Sequence, residues 1–223
     1  MKNAAALLIA FAALILLTGC KTTPPPQPVP SPVTPTVDLF NGQNFDGWTF
    51  CMKKNADPMQ TWSVRDGMIH CTGQPAGYAR TTQSYHDYHL TVVWRFVKVT
   101  PHADNSGILL HIQAPDKVWP ECVQAQGLYQ HQGDLILMGG AGADGYPPNG
   151  NKSTLIPQMA QNENPAGDWN TNEIICNGNA IGLFVNGKPL NQITGCSLSA
   201  GYIGIQSEGG DIEIRRLLLE PLN

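Results

Sequence analysis

The sequence predicts an all-β fold, and three observations carry that prediction. Short segments with strand patterns recur along the chain, separated by turn residues that include many of its 23 glycines and 18 prolines. Beyond the N-terminal apolar segment, no long run of apolar residues has the 3.6-residue period of a helix. Asp66-Gly67 and Asn186-Gly187 are hairpin signals, because both residue types tolerate the positive φ of primed turns. Neighbouring strands should therefore pair in an antiparallel fashion.

Eleven segments carry the strand signal. They are Thr61–Arg65, Met68–Thr72, Tyr78–Thr82, Tyr88–Val99, Ile108–Gln113, Cys122–Gln126, Leu135–Met138, Glu173–Asn177, Ile181–Val185, Tyr202–Gln206 and Ile212–Leu219. All lie within residues 37–223, a length that suits one β-sandwich with a substantial core. Nothing in the sequence indicates a second domain.

The segment Tyr88–Val99 has two different faces. Four apolar residues alternate onto one of them: Leu90, Val92, Trp94 and Phe96. Arg95 falls on the opposite face. Because a wholly apolar strand face must be buried against another layer, the pattern predicts two packed antiparallel sheets, a sandwich or jelly roll.

Polar residues alternate along two neighbouring predicted strands between Asp104 and Asp134. The expected core residues are Ile108, Leu110 and Ile112 on the first strand and Val123 and Ala125 on the second. The expected polar residues are His111 with Gln113 and Gln124 with Gln126. Such groups suit a hydroxyl-rich ligand such as sugar, because each amide offers a donor and an acceptor without a charge to desolvate. An ordinary solvated sheet face is the alternative.

The start of the chain predicts export and lipid attachment. Residues 1–19 contain Lys2 and an apolar run that ends in Leu17, Thr18 and Gly19, which is typical of a lipoprotein signal peptide. Cleavage would leave Cys20 as the acylated amino terminus, and so as a membrane anchor. Residues 20–36 hold seven prolines and favour a polyproline II tether, followed by the domain at 37–223.

The residue after the cysteine bears on localisation. In Gram-negative lipoproteins an Asp at this position commonly marks retention in the inner membrane, and this chain has Lys21. The sequence therefore favours an exported lipoprotein of the outer membrane, on its periplasmic or surface face.

Charge, cysteine content and motifs exclude several function classes. The formal net charge is -4 and only 13% of residues are charged, so nucleic-acid binding through clustered cations is not expected. Five cysteines follow Cys20, and an odd number leaves at least one unpaired or joined to another chain. Cys122 and Cys176 fit the strand patterns as small buried residues. No Cys-x-x-Cys pair, Gly-x-Ser-x-Gly elbow, phosphate loop or dinucleotide fingerprint occurs.

Six blocks of sequence carry a resemblance to a known family. They are DLFNGQNFDGW (38–48), WSVRDGMIHCTGQPAGYARTT (62–82), DYHLTVVWRF (87–96), NSGILLHIQAPDKVWP (105–120), GDWNTNEIICNGNAIGLFVNG (167–187) and GYIGIQSEGGDIEIRRLLLEPL (201–222). In this order they resemble the 3-keto-disaccharide hydrolase domain family over essentially the whole chain after the tether. The resemblance implies a concanavalin A-like jelly roll, similar to many glucanases and lectins, with sugar on the concave sheet face.

The chemistry of that family implies which groups a site needs. A ketone at C3 of a sugar acidifies the proton on C2, so a base removes it and the glycosidic oxygen leaves C1 by elimination. Water then adds to the unsaturated sugar, and the net result is hydrolysis of a 3-keto-glycoside. The site needs a base, a stabiliser for the enolate oxygen and a proton donor, but not the paired carboxylates of ordinary glycosidases.

The resemblance and the strand faces together give a set of candidate residues. Glu173 or His111 is the expected base, and Arg80 or Arg95 is expected to stabilise the developing negative charge. The other expected substrate-binding residues are Asn105, Gln124, Gln126, Trp169, Asn170, Gln206 and Glu208. For each one, a solvated or salt-bridged sheet position is the alternative.

Two departures from the family keep other functions open. Many relatives carry Glu where this chain has Gln124, and some carry His where it has Leu183. The alternatives are a lipid-anchored carbohydrate-binding envelope protein without catalysis and an enzyme that cleaves a different keto-sugar with its remaining groups; a structural adhesion module is a third interpretation. A divalent metal would suit the oxygens beside a ketone, and the available donors are Asp104, Glu121, His131, Asp134 and Asp144. No spacing among them selects a metal site, so neither a metal nor another cofactor is assigned.

Replacing Cys20 should release the protein from the membrane or mislocalise it, because acylation needs its thiol. We expect labelled fatty acid to be incorporated into the wild-type chain and into a Cys51→Ala control, but not into Cys20→Ala. Absence of label from the wild type would contradict the prediction.

Overall fold

The structure, a computed structural model, describes residues 35–98 and 104–222. Within these residues the chain forms two short 3₁₀ turns and fifteen strands: β1 (Val37–Asp38), β2 (Trp48–Met52), β3 (Trp62–Arg65), β4 (Met68–Cys71), β5 (Gly77–His86), β6 (Tyr88–Phe96), β7 (Asn105–Ile112), β8 (Cys122–Gln126), β9 (Leu135–Met138), β10 (Thr154–Ile156), β11 (Asn170–Asn177), β12 (Ala180–Val185), β13 (Lys188–Ile193), β14 (Ala200–Glu208) and β15 (Ile212–Pro221). No helix in the described part is long and apolar enough to cross a membrane. The predicted signal peptide and nearly all of the predicted tether, including Cys20, lie outside the described residues.

The strands form two antiparallel sheets, as the sequence predicted. The first sheet has eight strands in the order β13-β12-β11-β6-β15-β4-β3, with β1 beside β15. The second sheet has seven strands in the order β10-β9-β8-β7-β14-β5-β2. Neighbours in space are often distant in sequence, so the sheets are those of a jelly-roll sandwich.

Both predicted hairpins are present. Asp66 and Gly67, at φ 51° and 74°, join β3 to β4, and Arg65 pairs with Met68 across the turn. Asn186 and Gly187, at φ 51° and 77°, join β12 to β13 in the same way. These turns form where expected because their signal is local to two residues.

The core lies between the two sheets. The apolar face of β6 is buried, and on the second sheet Val123, Ala125, Ile203 and Ile205 are buried in the same cluster. Polar groups are few there, and one of them, the Trp94 Nε1, donates a hydrogen bond to the Asn172 Oδ1 at 3.1 Å. Packing of the two inner faces is what holds the sheets together.

A bulge in β7 corrects the predicted alternation around His111. Leu109 pairs with Gly204 and Ile112 with Tyr202, so two residues of β7 face the single residue Ile203. The extra residue returns Ile112 to the outer face that Leu109 occupies, and His111, at φ 54°, turns inward. The expectation that Ile112 faces the core and His111 the polar face is therefore wrong.

The lengths of several strands also differ from the prediction. β5 continues to His86, four residues beyond its predicted end, while β6 stops at Phe96; Val99 is outside the described residues. Four strands were not predicted: β1, β2, β10 and β13. They lie at sheet edges or, for β1, beside the path of the first sheet, where one side lacks a partner and the sequence pattern is weaker.

All five cysteines of the described region are free thiols. Cys122 and Cys176 are fully buried, as predicted from their strand positions. Burial raises the pKa of the Cys71 thiol to about 11 and that of Cys176 to about 12. Cys51 differs from the others because it is partly exposed.

Glu163 is a partly buried carboxyl in the segment between β10 and β11. Its Oε2 accepts a hydrogen bond from the Gln130 backbone N–H at 2.6 Å. Burial raises its pKa to about 7, while the neighbouring Gln132 and His131 oppose the shift. The ionised form is thus poorly solvated in the folded protein.

The stability of the fold should fall as this carboxyl ionises. Because its folded pKa exceeds the ordinary value of 4.5, the folded state loses stability relative to the unfolded chain as pH rises through that interval to about 7. Glu163→Gln should therefore raise the melting temperature relative to wild type at pH 8 and much less at pH 5, measured by circular dichroism. An Asp46→Asn control should show no such trend, and an equal Glu163→Gln effect at both pH values would contradict the prediction.

Candidate functional site

A pocket of about 340 Å³ opens on the outer face of the second sheet. Its polar lining residues are Asn105, Gln124, Gln126, Asn151, Ser153, Gln206 and Glu208. Its apolar lining residues are Trp119, Ile136 and Met138. β7, β8, β9 and β14 supply the floor, because alternation sends every second side chain of each strand to this face.

The amides of the floor hold one another in place. The Gln124 Nε2 lies 2.8 Å from the Gln126 Oε1 and 2.9 Å from the Gln206 Oε1, so it donates to both. The Gln126 Oε1 also accepts from the Gly127 N–H at 2.9 Å. Gly107 makes room for this network, since a Cβ there would lie 2.5 Å from the Gln124 Nε2. The floor is therefore neutral and rigid, with amide groups already oriented.

Glu208 is the one carboxylate among the described lining residues. Its Oε2 accepts a hydrogen bond from the Asn105 Nδ2 at 2.6 Å. Burial raises the pKa of this carboxyl, and the hydrogen bonds from Asn105 and Gln206 oppose the rise. A half-buried carboxylate with a raised pKa is a stronger base than an exposed one.

The loop between β7 and β8 brings Trp119 to the pocket and is fastened to the same sheet face. Asp116 is bound by Arg80 through two hydrogen bonds of 2.7 Å and by the Tyr78 hydroxyl at 2.9 Å. Beside this attachment a second apolar cluster is buried: Tyr78, Leu109, Ile112, Cys122 and Met138. Trp119, three residues after Asp116, remains 42% exposed.

The structure brings together five of the predicted site residues. Asn105, Gln124, Gln126, Gln206 and Glu208 all line the pocket. Arg80 lies on the same sheet face, but its guanidinium is occupied by Asp116 and stacks on the Tyr202 ring at 3.9 Å. Sequence reasoning missed Trp119, Asn151 and Ser153, because loop residues carry no strand pattern that predicts a sheet face.

Four other predicted residues lie on the first sheet or beside it. The Glu173 carboxylate faces outward, 3.6 Å from the His89 Nε2. Arg95 also faces outward, is bound by Glu213 at 2.6 Å and lies over the Trp169 ring. Asn170 is buried, and its Oδ1 accepts hydrogen bonds from two neighbouring residues. These residues do not converge with the pocket, because the two sheets carry them on different surfaces.

His111 is the remaining expected base, and it is fully buried between the sheets. Its Nδ1 lies 3.1 Å from the Leu198 carbonyl oxygen, and its ring packs edge-on against Tyr88. Burial lowers its pKa. The bulge in β7 is the reason that it lies in the core and away from the pocket.

The five possible metal donors do not form one cluster. The His131 Nδ1 lies 3.1 Å from the Asp134 Oδ2, while the Asp144 Oδ2 accepts from the Thr194 hydroxyl. In the part of the chain that the structure describes, no three side chains of His, Cys, Asp or Glu form a cluster suited to a metal ion.

The fold is shared with solved structures of carbohydrate-active proteins. A candidate glycosyl hydrolase from Parabacteroides distasonis is 19% identical, with a TM-score of 0.62 over 84% of this chain and 94% of the other. The β-glucanase of Bacillus licheniformis is 14% identical, with a TM-score of 0.57 over 83% of this chain and 97% of the other. The carbohydrate-binding module CBM66 of Bacillus subtilis is 9% identical, with a TM-score of 0.57 over 78% of this chain and 95% of the other. At these identities the likeness shows the jelly-roll fold alone.

Sequence comparison identifies the family. No curated protein matches the chain. The family model described as the 3-keto-alpha-glucoside-1,2-lyase-like domain matches residues 35–220, which is most of the chain and nearly all of the described β-sandwich. The chain therefore belongs to the 3-keto-alpha-glucoside-1,2-lyase-like (3-keto-disaccharide hydrolase) domain family.

Proposed function

We propose that this chain cleaves glycosides of 3-keto sugars in the pocket of the second sheet, with Glu208 as the base. The observation that carries the proposal is the single half-buried carboxylate in a pocket otherwise lined by amides, hydroxyl and apolar groups. Family membership supports the same chemistry. Glu173 and His111, expected as bases from the sequence, lie outside this pocket.

The proposed reaction needs one base that can return its proton. The Glu208 carboxylate takes the C2 proton, and the C2–H electron pair forms the enolate whose negative charge lies on the C3 oxygen. Collapse of the enolate forms the C1–C2 double bond and breaks the bond from C1 to the glycosidic oxygen, which takes up a proton. Water then adds across C1 and C2, with hydroxyl on C1 and hydrogen on C2. Raised basicity from burial suits the first step.

The amides suit the other requirements of the site. Sugar hydroxyls need both donors and acceptors, and Gln124, Gln126 and Gln206 supply both without a net charge. Amide N–H groups also stabilise an enolate oxygen, and fixed donors cost little reorganisation during the reaction. The network that holds the floor rigid therefore serves recognition and catalysis together.

A binding protein without catalysis is the second candidate. It is favoured by the Asn105–Glu208 hydrogen bond of 2.6 Å, because a carboxylate already engaged by an amide can serve as a fixed hydrogen-bond acceptor for sugar hydroxyls. Tight binding of glycans without turnover of any keto-glycoside would identify this function. The two candidates share the same pocket and differ only in what Glu208 does.

We also propose that the domain works outside the cytoplasm, attached to the outer membrane through Cys20. Support comes from the signal-peptide pattern, the lipobox and the proline-rich segment. An extended tether of this kind would hold the pocket away from the bilayer, where glycans are accessible.

Glu208→Gln should remove most of the activity while preserving ligand binding. A positioned base contributes roughly 100-fold to 10,000-fold, so turnover should fall by that order, whereas the amide keeps the shape of the side chain. Turnover and affinity would be measured with a 3-keto-disaccharide, and Glu220→Gln on the first sheet serves as the matched control. If Glu173→Gln lost activity and Glu208→Gln did not, the base would be Glu173 and this assignment would be wrong.

The rate should depend on the ketone of the substrate, on the hydrogen isotope at its C2 and on pH. Ordinary disaccharides should be poor substrates, because without the ketone the C2 proton is too weakly acidic for a side-chain base. Deuterium at C2 should slow the reaction where proton removal limits it. Because the base acts ionised and its pKa is raised, activity should fall with decreasing pH at a higher pH than an ordinary Glu would require. Equal rates on oxidised and unoxidised disaccharides would contradict the mechanism.

A further inference from the structure

Trp119 is an unusual residue for the wall of a polar pocket. Its side chain is 42% exposed and lines the same cavity as the amides and Glu208. When a ligand covers a large aromatic ring that is partly exposed to water, the burial of apolar surface favours binding. A pyranose ring presents an apolar C–H face beside a rim of hydroxyls. The pocket offers matching surfaces, an indole on its wall and amides on its floor.

The loop that carries Trp119 is attached at its base and near its middle. At the base, the Gln113 N–H donates to the Glu121 carbonyl oxygen at 3.0 Å. In the middle, the Asp116 carboxylate takes two hydrogen bonds from Arg80 and one from Tyr78. A planar guanidinium that binds both oxygens of a carboxylate fixes direction as well as distance.

The attachment at Asp116 is less exposed and has more hydrogen bonds than an ordinary surface ion pair. The Arg80 side chain is only 13% exposed and stacks on the Tyr202 ring, while Tyr78 is fully buried. Arg80 and Tyr78 hold the pKa of the Asp116 carboxyl below its ordinary value, so the pair stays ionised. Partial burial and three converging donors distinguish it from exposed pairs that contribute little.

We infer that Trp119 is the platform on which a pyranose ring of the ligand stacks, and that Asp116 is the positioning residue that keeps the platform in place. The two residues are three positions apart in the loop, so the attachment at Asp116 limits where the indole can move. The identity of the ligand rests on the proposed function. The effect of Asp116 on the mobility of Trp119 does not rest on the proposed function, and it can be measured without any ligand.

The stacking role of Trp119 is tested by measuring ligand affinity in a variant that lacks the proposed catalytic base. In a Glu208→Gln background, Trp119→Ala should weaken binding of a 3-keto-disaccharide by roughly 3- to 10-fold, the range typical of one aromatic contact. Trp119→Phe should restore much of that loss, and Lys188→Ala, an exposed position on the first sheet, serves as a control. Unchanged affinity in Trp119→Ala would overturn the stacking role.

The positioning half is tested by the accessibility of the indole. Trp169 is the other partly exposed tryptophan in the described region, so acrylamide quenching in a Trp169→Phe background reports mainly on Trp119. Asp116→Ala should increase quenching and raise KM several-fold with little change in kcat, whereas Asp46→Ala should change neither. Arg80→Lys, which loses the two-point contact but keeps the charge, should have the same effect in weaker form. Quenching and KM unchanged in both variants would overturn the positioning role.

The outcomes separate this inference from the proposed function. If the wild type cleaves keto-glycosides and neither Trp119 nor Asp116 affects binding or quenching, the inference fails and the function stands. If the wild type neither binds nor cleaves any keto-glycoside, the proposed function fails, and with it the stacking half. An increase in quenching with Asp116→Ala would still support the positioning half in that case.

Discussion

The Asp116 carboxylate, held by Arg80 and Tyr78, fastens the loop between β7 and β8 to the outer face of the second sheet. The inner face of that sheet is covered by the first sheet, but Leu109, Ile112 and their neighbours on the outer face are apolar as well. Tyr78 belongs to this cluster, so its hydrogen bond to Asp116 fastens the loop directly beside it. Because the same loop carries Trp119 to the pocket, the ion pair of Asp116 with Arg80 lies between the buried cluster and the wall of the site.

In the proposed mechanism, the amides bind the substrate and stabilise its developing charge, and Glu208 alone takes the proton. The floor amides of the pocket bind one another and leave their remaining donors and acceptors in fixed directions. The only charge on the described lining is Glu208, which is itself steadied by Asn105. A neutral surface around a single carboxylate suits a substrate that has no charge and becomes negative only during reaction. Paired carboxylates would disfavour that developing charge by repulsion.

Local patterns predicted what depends on neighbouring residues alone. The Asp66-Gly67 turn and the outward direction of Gln124 and Gln126 follow from two or three positions of sequence. Alternation assigns a face within one strand but does not say which sheet the strand joins, so it placed the expected base Glu173 and the expected binding residue Glu208 in one site, although the structure puts them on different sheets. The reversal at His111 depends on the register between β7 and β14, about ninety residues apart in sequence. The contact of Asp116 with Arg80 is also long-range, and no pattern encodes it.

Burial of four of the five described cysteines makes the folded domain resistant to oxidation at those thiols. A disulfide forms only through a thiolate, and burial disfavours that form at Cys71, Cys122, Cys176 and Cys196. Once folded, the sandwich therefore protects these sulfurs from oxidants and from exchange with foreign thiols. None of its described cysteines is crosslinked, so packing and hydrogen bonds, and no disulfide, hold the described sandwich together. The vulnerable interval is before folding, when all five sulfurs are accessible and can be joined wrongly.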